Sequence, residues 1–333
     1  MRLRAGVAVD LGTVNTLIWV AGRGLVVEEP TAVAFDRAAG RVAAVGQEAD
    51  ALKDKEPQDI EVLYPLRDGI VSDLDATIAM LRAFLRRAKL HRSPVRPHAL
   101  VCVPSGATWV ERRAVEAAFQ ARRPRCLVKL VEEPVAAAAG AGFESAGGAG
   151  AFIVDIGGGT TEIAAVAGSR LVRARSLRAA GNAMDDAIMQ AARAELGLIL
   201  SRHAARRLKM TLGLTGGTDG WAEAVGLDAK TRAPRVDRVP GPFVAAALDK
   251  TVTTIAGVVH EMLSDIPPGL AEDVVRGKIC LAGGGALLPG LPTRIEASAG
   301  IAALVVDDPL RCTVRGAAAL LDKGYHRLPV RPA

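Results

Sequence analysis

The residues best placed to do chemistry lie in two acidic turns. The apolar run Gly6-Val7-Ala8-Val9 ends in Asp10, turns through Leu11-Gly12-Thr13, and resumes as Thr16-Leu17-Ile18-Trp19-Val20. The same device returns 145 residues later. There Ala151-Phe152-Ile153-Val154 ends in Asp155, passes through Ile156-Gly157-Gly158-Gly159-Thr160-Thr161-Glu162, and continues as Ile163-Ala164-Ala165-Val166. A strand that ends in a carboxylate and turns through glycine and threonine gathers backbone N–H groups and a hydroxyl at one point. Glycine lets a ligand come close to the backbone, and successive N–H groups form an anion-binding concavity. A phosphate beside a carboxylate is repelled unless a divalent cation lies between them. Mg²⁺ held largely through waters suits such a pair, so Asp10 and Asp155 are the candidate metal ligands.

Two further motifs add to this pattern. Gly283-Gly284-Gly285 follows the apolar strand Ile279-Cys280-Leu281-Ala282 and precedes Ala286-Leu287-Leu288, which reads as a strand turning into a helix, either a common glycine-rich turn or one whose helix N-terminus and bare backbone could face a nucleotide. In Leu130-Val131-Glu132-Glu133-Pro134-Val135, adjacent carboxylates precede a proline and a small-residue helix. That places one acid at a helix N-terminus, where it could orient water for phosphoryl transfer or simply favour the helix dipole. No Gly-Lys-Ser/Thr occurs, which excludes a P-loop ATPase.

The elements that must position these residues follow from periodicity. Repetition of one device at domain spacing predicts an α/β fold of two related halves across a cleft. The boundary falls in the glycine-rich stretch Gly140 to Gly150, dividing the chain into residues 1–145 and 146–333, with a small subdomain inserted at about 200–245. Ile78, Leu81, Phe84, Leu85 and Ala88 mark a helix from Thr77, with Arg82, Arg86, Arg87 and Lys89 opposite. Thr108-Trp109-Val110-Glu111 matches a capping box, and Asn182 is placed to cap a helix that stops at Gly197. Pro242 opens a long helix ended by Pro267-Pro268-Gly269. Thr215 to Pro240 has little periodicity and reads as a small, strand-poor or weakly stranded subdomain.

Composition narrows the function classes. The 333 residues correspond to about two domains at roughly 150 residues each. With half the residues hydrophobic, the chain can build a core. The net charge is +6, but aromatics are only 3%, which argues against an aromatic platform for single-stranded nucleic acid, and no nucleic-acid partner is expected. No run of 18 apolar residues is present, and Met1-Arg2-Leu3-Arg4 leads straight into a predicted strand, so neither a membrane span nor a signal peptide is expected. Cys102, Cys126, Cys280 and Cys312 form no C-x-x-C pair, which points to buried thiols in a reducing compartment.

The motifs in combination resemble the MreB family of bacterial actin homologues, within the actin, sugar-kinase and heat-shock-chaperone ATPase superfamily. Asp10-Leu11-Gly12-Thr13-Val14-Asn15-Thr16, Val103-Pro104-Ser105-Gly106 with Glu111-Arg112-Arg113-Ala114, and Glu132-Glu133-Pro134 carry the resemblance. Asp155 to Glu162, Met184-Asp185-Asp186-Ala187-Ile188 and Leu281 to Leu288 complete it, and it extends to about Leu321. It implies a two-lobed actin-like ATPase fold with duplicated ribonuclease-H-like domains and a central nucleotide cleft holding ATP and Mg²⁺. It further implies phosphate contacts from Thr13, Val14 and Asn15 and from Gly157, Gly158, Gly159 and Thr160. Gly284, Gly285, Ala286 and Leu287 would border the nucleoside. Glu133 and Thr160 would act on the attacking water, while Asp10 and Asp155 keep the metal role.

One departure stands out. Where the family carries an acidic pair and a lysine on a helix touching the ribose, this chain reads Ala205-Arg206-Arg207-Leu208-Lys209, keeping Lys209 but not the carboxylates. The resemblance also implies membrane-associated, self-assembling filaments that direct cell-wall synthesis and cell shape. They would lie at the inner face of the cell membrane, beside the wall-elongation machinery. The basic segment Lys89 to His98, with Arg86 and Arg87, would add attraction to an anionic surface. Two alternatives accompany this reading. One is a small-molecule kinase using Asp68 or Asp73 as base, and the other is a scaffold that binds nucleotide weakly because of Arg206 and Arg207.

Overall fold

The computed structural model describes residues 6–55, 57–90, 96–121, 126–143, 150–215 and 220–325. Residues 91–95 of the basic segment and 144–149 of the glycine-rich boundary lie outside the described residues, as does the N-terminal segment before Gly6.

Two five-stranded sheets repeat one topology. In the first, the strands run in the order Leu127–Glu132, His98–Val103, Gly6–Leu11, Asn15–Val20, Gly24–Pro30. In the second, the order is Ala303–Val305, Ile279–Ala282, Gly150–Ile156, Thr161–Ala167, Arg170–Leu177. Each begins as a three-strand antiparallel meander, and two later strands then add in parallel on the other side of the first strand. The duplication expected from the acidic turns is thus present in the strand order as well. Asp10 sits beside Cys102 and opposite Leu17, and Asp155 beside Ala282 and opposite Glu162, at the same register in the two sheets.

Strand alternation then decides where the acids point. Val7, Val9 and Leu11 face one core, with Met80, Leu81, Phe84, Val115 and Phe119. Phe152, Val154 and Ile156 face another, with Met184, Ile188, Leu248 and Ile255. Ala8 and Asp10, like Ile153 and Asp155, take the opposite faces, and these are covered by two helices, Glu133–Gly140 and Cys312–Asp322. The helices cross at backbone contact. A Cβ on Gly316 would fall inside the Ala136 carbonyl, and one on Gly140 inside that of Cys312, so only glycine fits either place. The pair also bridges the halves. The helix Glu133–Gly140 packs against both sheets, with Val135, Ala136 and Ala139 in the cluster of the first and Ala137 and Ala138 in that of the second, while Cys312–Asp322 rests mainly on the first sheet.

Several local expectations are refined. The first helix spans Leu74–Arg87, and the Asp73 side chain caps it by accepting from Ala76 N. Thr108 and Glu111 form the reciprocal capping box. Asn182 does not cap its helix, which begins at Gly181. Its first N–H groups are taken by the second turn instead, Gly181 N donating to Gly157 O and Asn182 N to Gly158 O. Within Thr215 to Pro240 the stranded alternative holds. Trp221–Asp228 and Pro234–Pro240 form a hairpin that joins Leu198–Ile199 in a three-stranded sheet. Only Ala224 and Val239 of the hairpin are fully buried, so the apolar alternation that announces a strand is faint. Gly241–Ser264 is long and apolar enough to cross a membrane by length and composition. Its stripe of Val244, Leu248, Val252, Ile255, Val259 and Met262 packs into the core around the second sheet.

Candidate functional site

Each acidic turn is held by a buried threonine just beyond it. Thr16 Oγ1 lies 2.9 Å from Thr31 Oγ1, and Thr31 donates to Gly12 O at 2.7 Å. At the equivalent place Thr161 Oγ1 donates to Ala179 O at 2.6 Å, and Gly157 N to Thr160 O at 2.9 Å. The turns mesh face to face. A Cβ on Gly158 would strike Val14, and one on Gly159 would strike Thr13 and the backbone of Asp68. A third piece, the Asp68-Gly69 tip between Leu66–Arg67 and Ile70–Val71, closes over them, with Gly69 N donating to Thr13 Oγ1 at 2.7 Å.

Between the turns lies a cavity of about 370 Å³. Asp10, Thr13, Val14, Asn15, Glu133, Asp155, Gly157, Gly158, Gly159, Thr160, Lys209, Gly284, Gly285 and Leu287 line it, so residues from five separated segments meet in one space. Ala286 is buried behind the Gly284–Leu287 turn rather than exposed to the cavity. That turn is a single 3₁₀ turn, not the expected start of a longer helix; the next helix begins at Leu291.

The acidic end of the cavity is electrostatically crowded. Burial, reinforced by Asp155, pushes the Asp10 carboxyl up to about 7. Burial raises Asp155 to about 6, even though Thr313 Oγ1 donates to its Oδ2 at 2.7 Å and favours the ionised form. Glu133 is pushed well above the ordinary carboxylate range by burial and by the charges of Glu162, Asp10 and Asp155. Carboxylates gathered out of water without a cation bind protons in its place. The donor set is all oxygen, with phosphate-sized space beside it, and so it fits a divalent cation of the magnesium type.

The MreB/Mbl protein family matches the chain over residues 4–327. The chain belongs to that family. It is 38% identical over 323 residues to the cell shape-determining protein MreB of Escherichia coli K12, covering 95% of this chain and 92% of that protein. Against the cell shape-determining protein Mbl of Bacillus subtilis 168 it is 34% identical over 328 residues, 98% of each. Among solved structures, MreB5 of Spiroplasma citri bound to ADP superposes with a TM-score of 0.89 at 29% identity, covering 96% of this chain and 97% of that one. The same protein bound to AMPPNP gives 0.88 at 28% identity, covering 98% and 99%. A MamK double helical filament shares the fold at a TM-score of 0.82 and 23% identity, covering 98% and 100%.

The helix Arg202–Leu212 forms a cationic wall of the cavity. Asp185 is fully buried and holds two cations, Lys209 Nζ at 2.6 Å and Arg206 Nε at 3.2 Å. Lys209 also donates to Gly181 O at 2.8 Å. Arg206 and Met210 line the cavity, whereas Arg207 is exposed and turned away from it. Of the remaining wall residues, Gly12, Leu17, Gly283 and Leu288 sit inside motifs already named, and the others escaped sequence reasoning. Gly181, Asn182 and Met184 enter because their helix starts one residue before the residue expected to cap it. Pro309, Leu310 and Thr313 come from an irregular loop and helix start, where no periodicity or motif points inward. Gly69 had a visible signal in its Asp-Gly turn. Asp73 is occupied as a helix cap and does not line the cavity. Asp68 points to Arg178 of the second half at 3.6 Å, so neither nominated kinase base faces the open space.

Proposed function

We propose that this MreB/Mbl protein binds ATP with Mg²⁺ in the central cleft and assembles into filaments on the anionic inner face of the cell membrane, where they direct wall synthesis and cell shape. The observation that carries the reading is the convergence of Asp10 and Asp155, from equivalent positions of two duplicated sheets, on one cavity edged by bare glycine backbone. The Spiroplasma relative, solved with ADP and with AMPPNP, supports the nucleotide.

In this reading Thr13, Val14, Asn15 and Gly157 to Thr160 present N–H groups and hydroxyls to the phosphates. Gly284, Gly285 and Leu287, backed by Ala286 and with Lys209 opposite, border the nucleoside. Asp10 and Asp155 hold the metal, which when bound neutralises charge developing on the phosphate oxygens. Glu133, a carboxyl group at the acidic end of the cavity, orients the attacking water with Thr160 beside it. Residues 1–145 and 146–333 act as the two lobes that close on the nucleotide.

Membrane attraction rests on the basic segment from Lys89 and on Arg86. Arg87 is engaged with Glu29 at 2.7 Å and contributes less than its charge suggests. Head-to-tail contact between unlike faces does not close and so yields filaments. Sedimentation with and without Mg·ATP and anionic vesicles tests the three parts together. Pelleting that requires nucleotide and increases with the vesicles is expected. A protein that stays in the supernatant under every condition defeats the reading.

The weak-nucleotide scaffold remains a second reading because Asp185, the carboxylate on this wall, is already committed to Arg206 and Lys209. Calorimetry with no heat from Mg·ATP at millimolar concentration would favour it.

A further inference from the structure

Glu162 is a buried acid that the mechanism above does not use. It stands directly opposite Asp155 on the neighbouring strand, where two like charges oppose each other at a cost. The fold does not require it there. In the first sheet the same register position, opposite Asp10, is Leu17, an apolar residue in an apolar cluster.

Three donors compensate the Glu162 carboxylate. Ser176 Oγ donates to Oε1, while Ser105 donates to Oε2 through both its N–H, at 2.9 Å, and its hydroxyl. Ser176 belongs to the same sheet, but Ser105 follows the His98–Val103 strand of the first sheet, so two of the three bonds cross between halves. From Ser105 the contact continues toward the cavity. The preceding Pro104 packs against Gly69 so closely that a Cβ there would overlap the Pro104 ring, and Gly69 N in turn donates to Thr13 Oγ1. Glu162 begins two residues after Thr160, so this line runs from the second phosphate turn, through the first half, to the hydroxyl of the first phosphate turn.

We propose that Glu162 is a positioning residue: through Ser105, Pro104 and Gly69 it braces the two phosphate turns against each other and sets the distance at which Thr13, Thr160 and Glu133 meet the terminal phosphate. The proposal rests on the nucleotide reading given above. It assigns Glu162 no contact with the nucleotide or the metal. A brace of this kind affects the reacting geometry more than binding, since a displacement of about 1 Å can cost roughly 10²-fold in rate.

The test is steady-state phosphate release by the full chain with Mg·ATP, alongside its melting temperature, for Ser105→Ala, Glu162→Ala and Glu162→Gln. Ser105→Ala and Glu162→Ala are expected to lower kcat about 10- to 100-fold, with KM changed less than about threefold. Glu162→Gln should retain most turnover, because an amide oxygen still accepts from Ser105 N–H and the serine hydroxyls can turn to accept from the amide. If Glu162→Ala fails to fold, the Ser105→Ala and Glu162→Gln pair carries the same contrast. Unchanged kcat in Ser105→Ala overturns the proposal. So does a parallel loss of affinity, turnover and melting temperature, which would make Glu162 an ordinary buried structural acid. An unmodified chain that binds no nucleotide is a separate result; it removes the proposed function and this inference with it.

Discussion

At the scale of single residues, the acids at the cavity make the metal-free protein sensitive to pH in a definite direction. Asp10 and Asp155 hold protons in the folded chain up to about 7 and about 6, while in an unfolded chain they release them near 3.8. Between those limits the folded state binds more protons, so stability from this pair is fully present below about 4 and is lost as pH rises through 6 to 7. In EDTA the melting temperature should therefore fall between pH 5.5 and 8 by more than in an Asp10→Asn variant, and added Mg²⁺ should recover the loss at pH 8. A parallel pH profile in the two proteins would show that Asp10 is not the cause. Replacing Asp155 with Ala should abolish Mg²⁺-dependent nucleotide binding, measurable by titration of a fluorescent ATP analogue. Glu133→Ala should leave binding nearly intact and slow phosphate release by about 10²–10⁴-fold.

At the scale of elements, the crossing of Glu133–Gly140 and Cys312–Asp322 leaves no room for a side chain. Gly316→Ala should destabilise the protein by about 1–3 kcal/mol or more, because the atoms in the way are backbone and cannot turn aside. Urea denaturation would check it, and a loss below about 0.5 kcal/mol would mean that the helices can part cheaply. The same scale shows what could be read in advance. The two Asp turns, the capping box at Thr108 and the long helix behind Pro242 were legible because each is a local device, with partners within a few residues. The close passage at Gly316 was not, since its partner at Ala136 is 180 residues away and glycine carries no mark of what it approaches. The Trp221–Asp228 hairpin gave only a faint signal for a different reason. Its outer face keeps Trp221, Val225 and Val236 exposed, so polarity does not alternate with burial.

At the scale of the molecule, salt bridges and hydrogen bonds join the halves at several places around the cavity: Asp68 with Arg178, Asp50 with His203, and Glu28 with Arg311. All are partly exposed pairs, worth little one by one. A nucleotide bound between the halves should therefore add stability of its own, about 2.7 kcal/mol at a hundred times its Kd. Scanning calorimetry with and without Mg·ATP measures this, and an unchanged melting temperature would argue against a ligand shared by both halves. The long sequence separation of the two covering helices has a consequence for how the protein is made. A ribosome delivers the strands of the first sheet early, yet the helix that completes the cover of one face of that sheet begins about 180 residues after the last of them. Until then Ala8, Leu17 and Leu100 have only Val135, Ala136 and Ala139 against them and lack Val314, Ala317 and Leu321. A nascent chain halted before residue 312 would carry an open greasy surface, which makes unfinished copies natural clients for chaperones and proteases.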